Sequence, residues 1–260
     1  MSAVLLAIPL GIVIGMTVGT VGGGGAILAL PALVYVLGEE VGPASTVSLI
    51  VVAIAAGVGG GALAVRGHVC GRVAVAFSLP AAAGSLLGAV ANNAVSARAL
   101  IVAFVPIMLI ASAATWQRAA RGHEDDTGPC PHVHLGRIVV AGAGIGLLTG
   151  FFGVGGGFMI VPVLTLWMGF DFLRAVATSL VIITITGLAA LASHLSLGAE
   201  IDVPVTVALA SATGAGALAG TLVAQRAPQA ALGRAFAVVV SLLALFLLVD
   251  VLLLGGPPNG

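Results

Sequence analysis

Eight apolar runs, each near the length that crosses a bilayer, take up most of this chain: Ala3 to Val21, Pro43 to Val65, Val73 to Ala91, Ala97 to Trp116, Ile138 to Phe152, Phe172 to Leu197, Val203 to Ala224 and Leu232 to Leu254. Spanning roughly 30 Å of hydrocarbon takes about 20 residues of helix. In lipid the backbone N–H and C=O groups must be bonded within the protein, so isolated runs of this kind form helices. The segments between them cannot supply the surface of a soluble domain, because 60% of the 260 residues are hydrophobic and only 7% are charged. The formal net charge is zero, which gives no basis for nucleic-acid binding. No basic stretch precedes the first run, which leads straight into glycines, so it is expected to remain as a membrane segment.

Two shorter runs, Ala26 to Leu37 and Phe158 to Met168, each follow a glycine cluster and contain a proline. They read as half-helices, or as second arms of hairpins that bend within the membrane. A shift of 131 residues lays Gly11, Gly15, Gly19, Gly22, Gly24, Gly25, Pro31, Gly38, Ala44 and Ser48 on Gly142, Gly146, Gly150, Gly153, Gly155, Gly156, Pro162, Gly169, Ala175 and Ser179. A slip of one residue then pairs Gly84, Gly88, Leu100 and Phe104 with Gly216, Gly220, Leu232 and Phe236. The ordered spacing indicates an internal duplication. The fold expected is an all-α polytopic membrane protein of two inverted repeats. Each repeat has four full transmembrane helices plus a short half-helix, giving 8 full spans and up to 10 membrane segments. The expected units are residues 1–116, a linker over 117–136, and residues 137–260.

The arginines orient the repeats. If the glycine hairpin counts as two passes, Arg66, Arg72, Arg118, Arg121, Arg137, Arg174, Arg226 and Arg234 share one face and Arg98 alone is opposite. The positive-inside rule then places the linker in the cytoplasm and both termini outside. Two cysteines, Cys70 and Cys130, fall in loops on the arginine-bearing side. Two cysteines make no disulfide framework, and function is not expected to depend on a bridge.

The chemistry points to the glycine clusters, Gly-Thr-Val-Gly-Gly-Gly-Gly-Ala at 19–26 and Gly-Phe-Phe-Gly-Val-Gly-Gly-Gly-Phe at 150–158. Free amides at the start of each short helix, with the positive end of its dipole, attract anions. In inverted repeats two such tips meet near the midplane. The candidate substrate-binding residues are Thr20, Gly22, Gly23, Gly24, Gly25 and Ser48 from the first half, with Gly153, Gly155, Gly156, Gly157, Thr178 and Ser179 from the second. Isolated glycines such as Gly84 and Gly216 read instead as places where helices pack closely. His194 is more simply an interfacial residue, and Asp250 likewise. Cys130, His132 and His134, with His123, resemble soft metal ligands, but their spacing matches no closed zinc motif and a solvated linker is the simpler reading. No nucleophile, paired carboxylates or metal motif lies within the apolar runs, so no catalytic residue, metal or cofactor is expected.

The sequences from Gly22 to Pro31 and from Gly153 to Pro162, with Ala-Ser-Thr-Val-Ser-Leu at 44–49 and Ala-Val-Ala-Thr-Ser-Leu at 175–180, resemble the TauE/SafE family of sulfite exporters. The second copy is the closer match. The first has Thr20 and Val21 in place of the aromatic pair, and Gly23 where the second has Val154. The resemblance implies a multi-pass protein of the bacterial plasma membrane that exports sulfite, sulfoacetate or related organosulfonates. The expected mechanism is alternating access, with an anion channel or a carrier of a different small anion as alternatives. The partners expected are the small anionic substrate, the lipid bilayer and, as an assembly, a homodimer.

Overall fold

The computed structural model describes residues 2–23, 28–38, 41–92, 97–121, 130–152, 157–196 and 203–249. Ten helical elements follow in order: α1 Ser2–Val21, α2 Ala29–Pro31, α3 Val41–Val65, α4 Gly71–Asn92, α5 Ala97–Ala120, α6 Leu135–Phe152, α7 Gly157–Pro162, α8 Phe172–Ser196, α9 Val203–Arg226 and α10 Gln229–Val249. Two of them continue into single π-helical turns, α2 into Ala32–Val36 and α7 into Val163–Trp167. No strand occurs among the described residues. Seven of these helices are long and apolar enough to cross a membrane, and α1 adds a further apolar helix counted over Leu6–Val21. Their outward faces carry large apolar side chains such as Leu79, Leu86, Ile110 and Leu242. So much exposed apolar surface fits contact with lipid.

The two π-turns fall 131 residues apart, the spacing of the sequence repeat, and each directly follows a proline, Pro31 or Pro162. Proline cannot donate to the helical ladder, and a widened turn accommodates the lost bond. Each arm then closes on a left-handed glycine, Gly38 at φ 71° and Gly169 at φ 75°. Both hairpins are therefore short helices that break at one end on glycines and stop at the other on a residue type that tolerates positive φ.

Four glycine-bearing helices pack as two parallel pairs. On α1, a Cβ at Gly15 would lie 2.1 Å from the Thr213 carbonyl oxygen of α9, and one at Gly19 would lie 2.3 Å from that of Ala217. On α6, a Cβ at Gly146 would lie 2.0 Å from the Ala81 carbonyl oxygen of α4. The partner glycines approach as closely, Gly216 and Gly220 of α9 against α1, and Gly84 and Gly88 of α4 against α6. Membrane helices gain little from the hydrophobic effect on associating, so close backbone approach at small residues supplies the packing. The packing reading of Gly84 and Gly216 is thus what these contacts display. Between the two pairs α3 and α8 run antiparallel, with Gly57 beside Thr184 and Gly187 beside Ala53. Helices α5 and α10 are also antiparallel and are joined by Ser112, which donates to the Ala237 carbonyl at 2.8 Å and lies 2.7 Å from the Ser241 hydroxyl.

These directions gather the ends of α3, α5 and α9 with the starts of α4, α6, α8 and α10 at one face. There Arg66 donates to the Gln225 side chain. Gln229 accepts from the Phe172 amide at 2.7 Å. Arg118 donates to the Thr165 carbonyl and to that of Phe170 at 3.2 Å. Eight of the nine arginines sit at helix ends on this face, and Arg98, near the start of α5, is at the other.

Cys70 and Cys130 are joined by a disulfide, S–S 2.03 Å, across 60 residues of sequence. The pairing depends on where the folded chain brings two loops, and both loops end at this face. With Cys130 bonded to Cys70, a metal site built on the Cys130 thiolate with His132 and His134 has lost its sulfur ligand. His123 and Asp250 lie outside the described residues.

Candidate functional site

The glycine breaks of the two halves touch. A Cβ at Gly23 would fall 1.7 Å from the Gly157 carbonyl oxygen, and one at Gly157 would lie 3.0 Å from the Gly23 Cα. At this separation Gly23 has no room for a side chain, whereas a Cβ at Gly157 would first meet the end of the Ile183 side chain at 2.8 Å. Gly22 has φ 72°, and a Cβ there would be 2.8 Å from the Ser179 hydroxyl and 3.2 Å from a Val161 methyl. The left-handed turn at the end of α1 thus sits against α7 and α8 of the other half. Gly24, Gly25, Gly153, Gly155 and Gly156 lie outside the described residues.

Beside Gly157 is a cavity of about 170 Å³ between α3, α4, α6, α7 and α8. Its lining is mostly apolar, including Ile145, Ile160, Ile182 and Ile183, with three hydroxyls, Ser85, Thr149 and Thr186. This space is large enough for several waters, or for a small oxyanion with part of its hydration. Among the described residues, no ionisable side chain lines it.

The candidate hydroxyls have local partners. Thr20 donates to the Met16 carbonyl at 2.7 Å, Ser48 to Ser45 at 2.8 Å and Ser179 to Val176 at 2.8 Å. Thr149 and Thr186, in the cavity wall, do the same to Ile145 and Ile182 at 2.6 and 2.9 Å. Such back-bonding is how serine and threonine are accommodated inside a helix, and it turns the oxygen lone pairs outward in place of the proton. Thr178, fully buried, accepts from the Cys70 amide at 3.2 Å and so ties α8 to the start of α4. Donors for an anion at the hairpins must therefore come from backbone N–H groups, or from hydroxyls that leave their helical carbonyls.

The two hairpins are braced differently. Phe158 of α7 packs edge-on against Phe104 of α5 at 5.2 Å, and Phe104 also meets Phe152 at 5.0 Å. In the first half the corresponding residues before the glycines are Thr20 and Val21, and the counterpart of Phe104 is Phe236, which faces Phe172 at 6.2 Å. The second hairpin thus carries an aromatic clamp built on the aromatic pair that the first copy lacks.

Two features near the site were not read from the residues. Arg118 caps the carbonyl end of the α7 arm and lines a second cavity of about 170 Å³ with Thr115, Asp171 and Gln229. An arginine in the last turn of an apolar helix is expected to bond the carbonyls of its own helix, so its reach to Thr165 and Phe170 was not signalled. Gln229, which caps α8, was not signalled either.

The sequence model of the "Sulfite exporter TauE/SafE" family matches residues 7–247, nearly the whole chain. The chain belongs to the TauE/SafE family. Its relatives include a "Probable membrane transporter protein" of Xylella fastidiosa (strain 9a5c), 30% identical over 257 residues and covering 95% of both chains. A protein of the same description from Xylella fastidiosa (strain Temecula1 / ATCC 700964) is 29% identical over 262 residues, again 95% of each. The "Probable membrane transporter protein YunE" of Bacillus subtilis (strain 168) is 28% identical over 220 residues, 76% of this chain and 80% of that one. No solved structure matches. Together with the apolar helices, membership of TauE/SafE makes this a multi-pass membrane transporter.

Proposed function

We propose that this transporter exports small sulfur-containing anions, sulfite or an organosulfonate such as sulfoacetate, by alternating access of two inverted repeats around the crossing of their glycine hairpins. The observation that carries the reading is the backbone contact of Gly23 with Gly157 beside this cavity. An anion there would be held by amides of the two glycine breaks, with no buried cation to bind it too tightly to release. The inverted reading is supported by the helix directions, since α1 runs toward the arginine-bearing face and its counterpart α6 runs away from it. The arginine count favours that face as cytoplasmic in the bacterial plasma membrane, with both termini outside.

The sulfur oxyanion comes from the family's description, and a cavity of about 170 Å³ lined by apolar side chains and three hydroxyls supports a small solute. Counterflow separates a carrier from a channel. Liposomes loaded with unlabelled sulfite should accumulate labelled sulfite transiently, and sulfoacetate should compete. Flux without transient accumulation would instead make the protein an anion channel.

A further inference from the structure

We propose that the Cys70–Cys130 disulfide is cleaved by sulfite on the arginine-bearing face, with sulfite attacking Cys130 and Cys70 leaving as a thiolate. Cys130 is partly exposed whereas Cys70 is 3% exposed, so the two sulfurs differ in access. The guanidinium of Arg174 lies against the more open one, its Nη1 3.7 Å from Cys130 Sγ, while its Nε is held by Asp171 at 3.0 Å. A cation beside a disulfide sulfur draws in an anionic nucleophile, and the eight arginines at this face raise the local anion concentration. Cys70 sits immediately before α4, where its carbonyl accepts the first bond of the helix from the Ala74 amide at 3.0 Å. The helix dipole at the start of the 22-residue α4 offsets part of the cost of placing a thiolate among apolar side chains, and the choice of Cys130 as the attacked sulfur rests on its access and on Arg174.

The step balances without a further reagent. The lone pair on the sulfite sulfur forms a bond to Cys130 Sγ as the bond between the cysteines breaks with its pair going to Cys70. The products are an S-sulfonate on Cys130 and a free thiolate at Cys70. The sulfite sulfur is oxidised and the Cys70 sulfur is reduced, so the two-electron count closes. Cleavage detaches the linker ahead of α6 from the turn between α3 and α4. A bridge on the face that the arginine count assigns to the cytoplasm would also be of the labile kind found in reducing compartments. The inference rests on the sulfur-anion reading of the transport site only for its physiological reagent.

The test treats the purified, folded protein with sulfite, traps free thiols by alkylation and maps both peptides by mass spectrometry. The expected result is a sulfo group on Cys130 and an alkylated Cys70. Arg174→Gln should slow cleavage by sulfite about tenfold, as loss of a nearby charge would. Cleavage by cysteamine, whose thiolate form is neutral overall, should keep its rate, and Arg174→Lys should restore most of the sulfite rate. A sulfo group on Cys70, equal sulfite rates in the wild type and Arg174→Gln, or an intact bridge in the folded protein while the SDS-unfolded protein is cleaved would each overturn the proposal. Sulfite counterflow on the same preparation is scored separately. Cleavage with no counterflow removes the transport reading and leaves the modification site in place, and counterflow with no cleavage does the reverse.

Discussion

Gly146 and Gly144 sit two residues apart on α6 and should respond in opposite ways to the same substitution. A Cβ at Gly146 would stand 2.0 Å from a backbone oxygen of α4, whereas nothing lies within 4 Å of one at Gly144. Gly146→Val is expected to abolish the monodisperse peak in detergent size exclusion, because overpacking against backbone costs at least about 1–3 kcal/mol. Gly144→Val should leave that peak unchanged. At the hairpin crossing the same logic ranks two variants by their effect on transport. Gly23→Ala meets a carbonyl oxygen at 1.7 Å, and Gly157→Ala meets mainly the mobile tip of Ile183 at 2.8 Å. Gly23→Ala should reduce sulfite flux at least about tenfold more than Gly157→Ala, and equal fluxes would move the site away from the crossing. Sequence spacing already separated clustered from isolated glycines, because small residues four apart have one common use between membrane helices. The direction of the hydroxyl protons of Thr20, Ser48 and Ser179 was not legible, since each depends on a rotamer choice inside its own helix.

The short arms show how far element-level reading reaches. Their existence and boundaries follow from the glycine clusters, Pro31 and Pro162, and the structure adds the matching π-turns that follow those prolines. What holds the arm of α7 in place was not visible in its own sequence, because the brace comes from α5. Arg118 bonds the Thr165 and Phe170 carbonyls, and Phe104 packs on Phe158. Arg118→Ala would leave both carbonyls short of a charged donor, at about 1.5–3 kcal/mol for each bond lost. The prediction is a clear fall in melting temperature in detergent, partly recovered by Arg118→Lys, and an unchanged midpoint would show that the cap does not stabilise the arm. The disulfide belongs to the same class of misses. Sixty residues separate its cysteines, and only the convergence of the turn after α3 with the segment before α6 brings them together.

For the whole molecule, the repeat at 131 residues and the distribution of arginines were legible because each depends only on order along the chain. The two parallel glycine pairs, α1 with α9 and α4 with α6, required the fold, since each exchanges a helix between the halves. That exchange ties the halves into one body, so under the proposed alternating access the motion would pass through these interfaces or through the hairpins. Charge also has a consequence at this scale. A solute leaving the cell as an anion moves down the membrane potential, and each negative charge carried outward gains about 2.3 kcal/mol per 100 mV. The most direct measurement is efflux of sulfite from liposomes containing the reconstituted protein, with the potential set by a potassium gradient and valinomycin. Saturable efflux is expected, accelerating when the compartment holding sulfite is made negative and lost in Gly23→Ala protein of normal size-exclusion profile. Efflux no faster than from protein-free liposomes, with the protein folded and inserted, would contradict it.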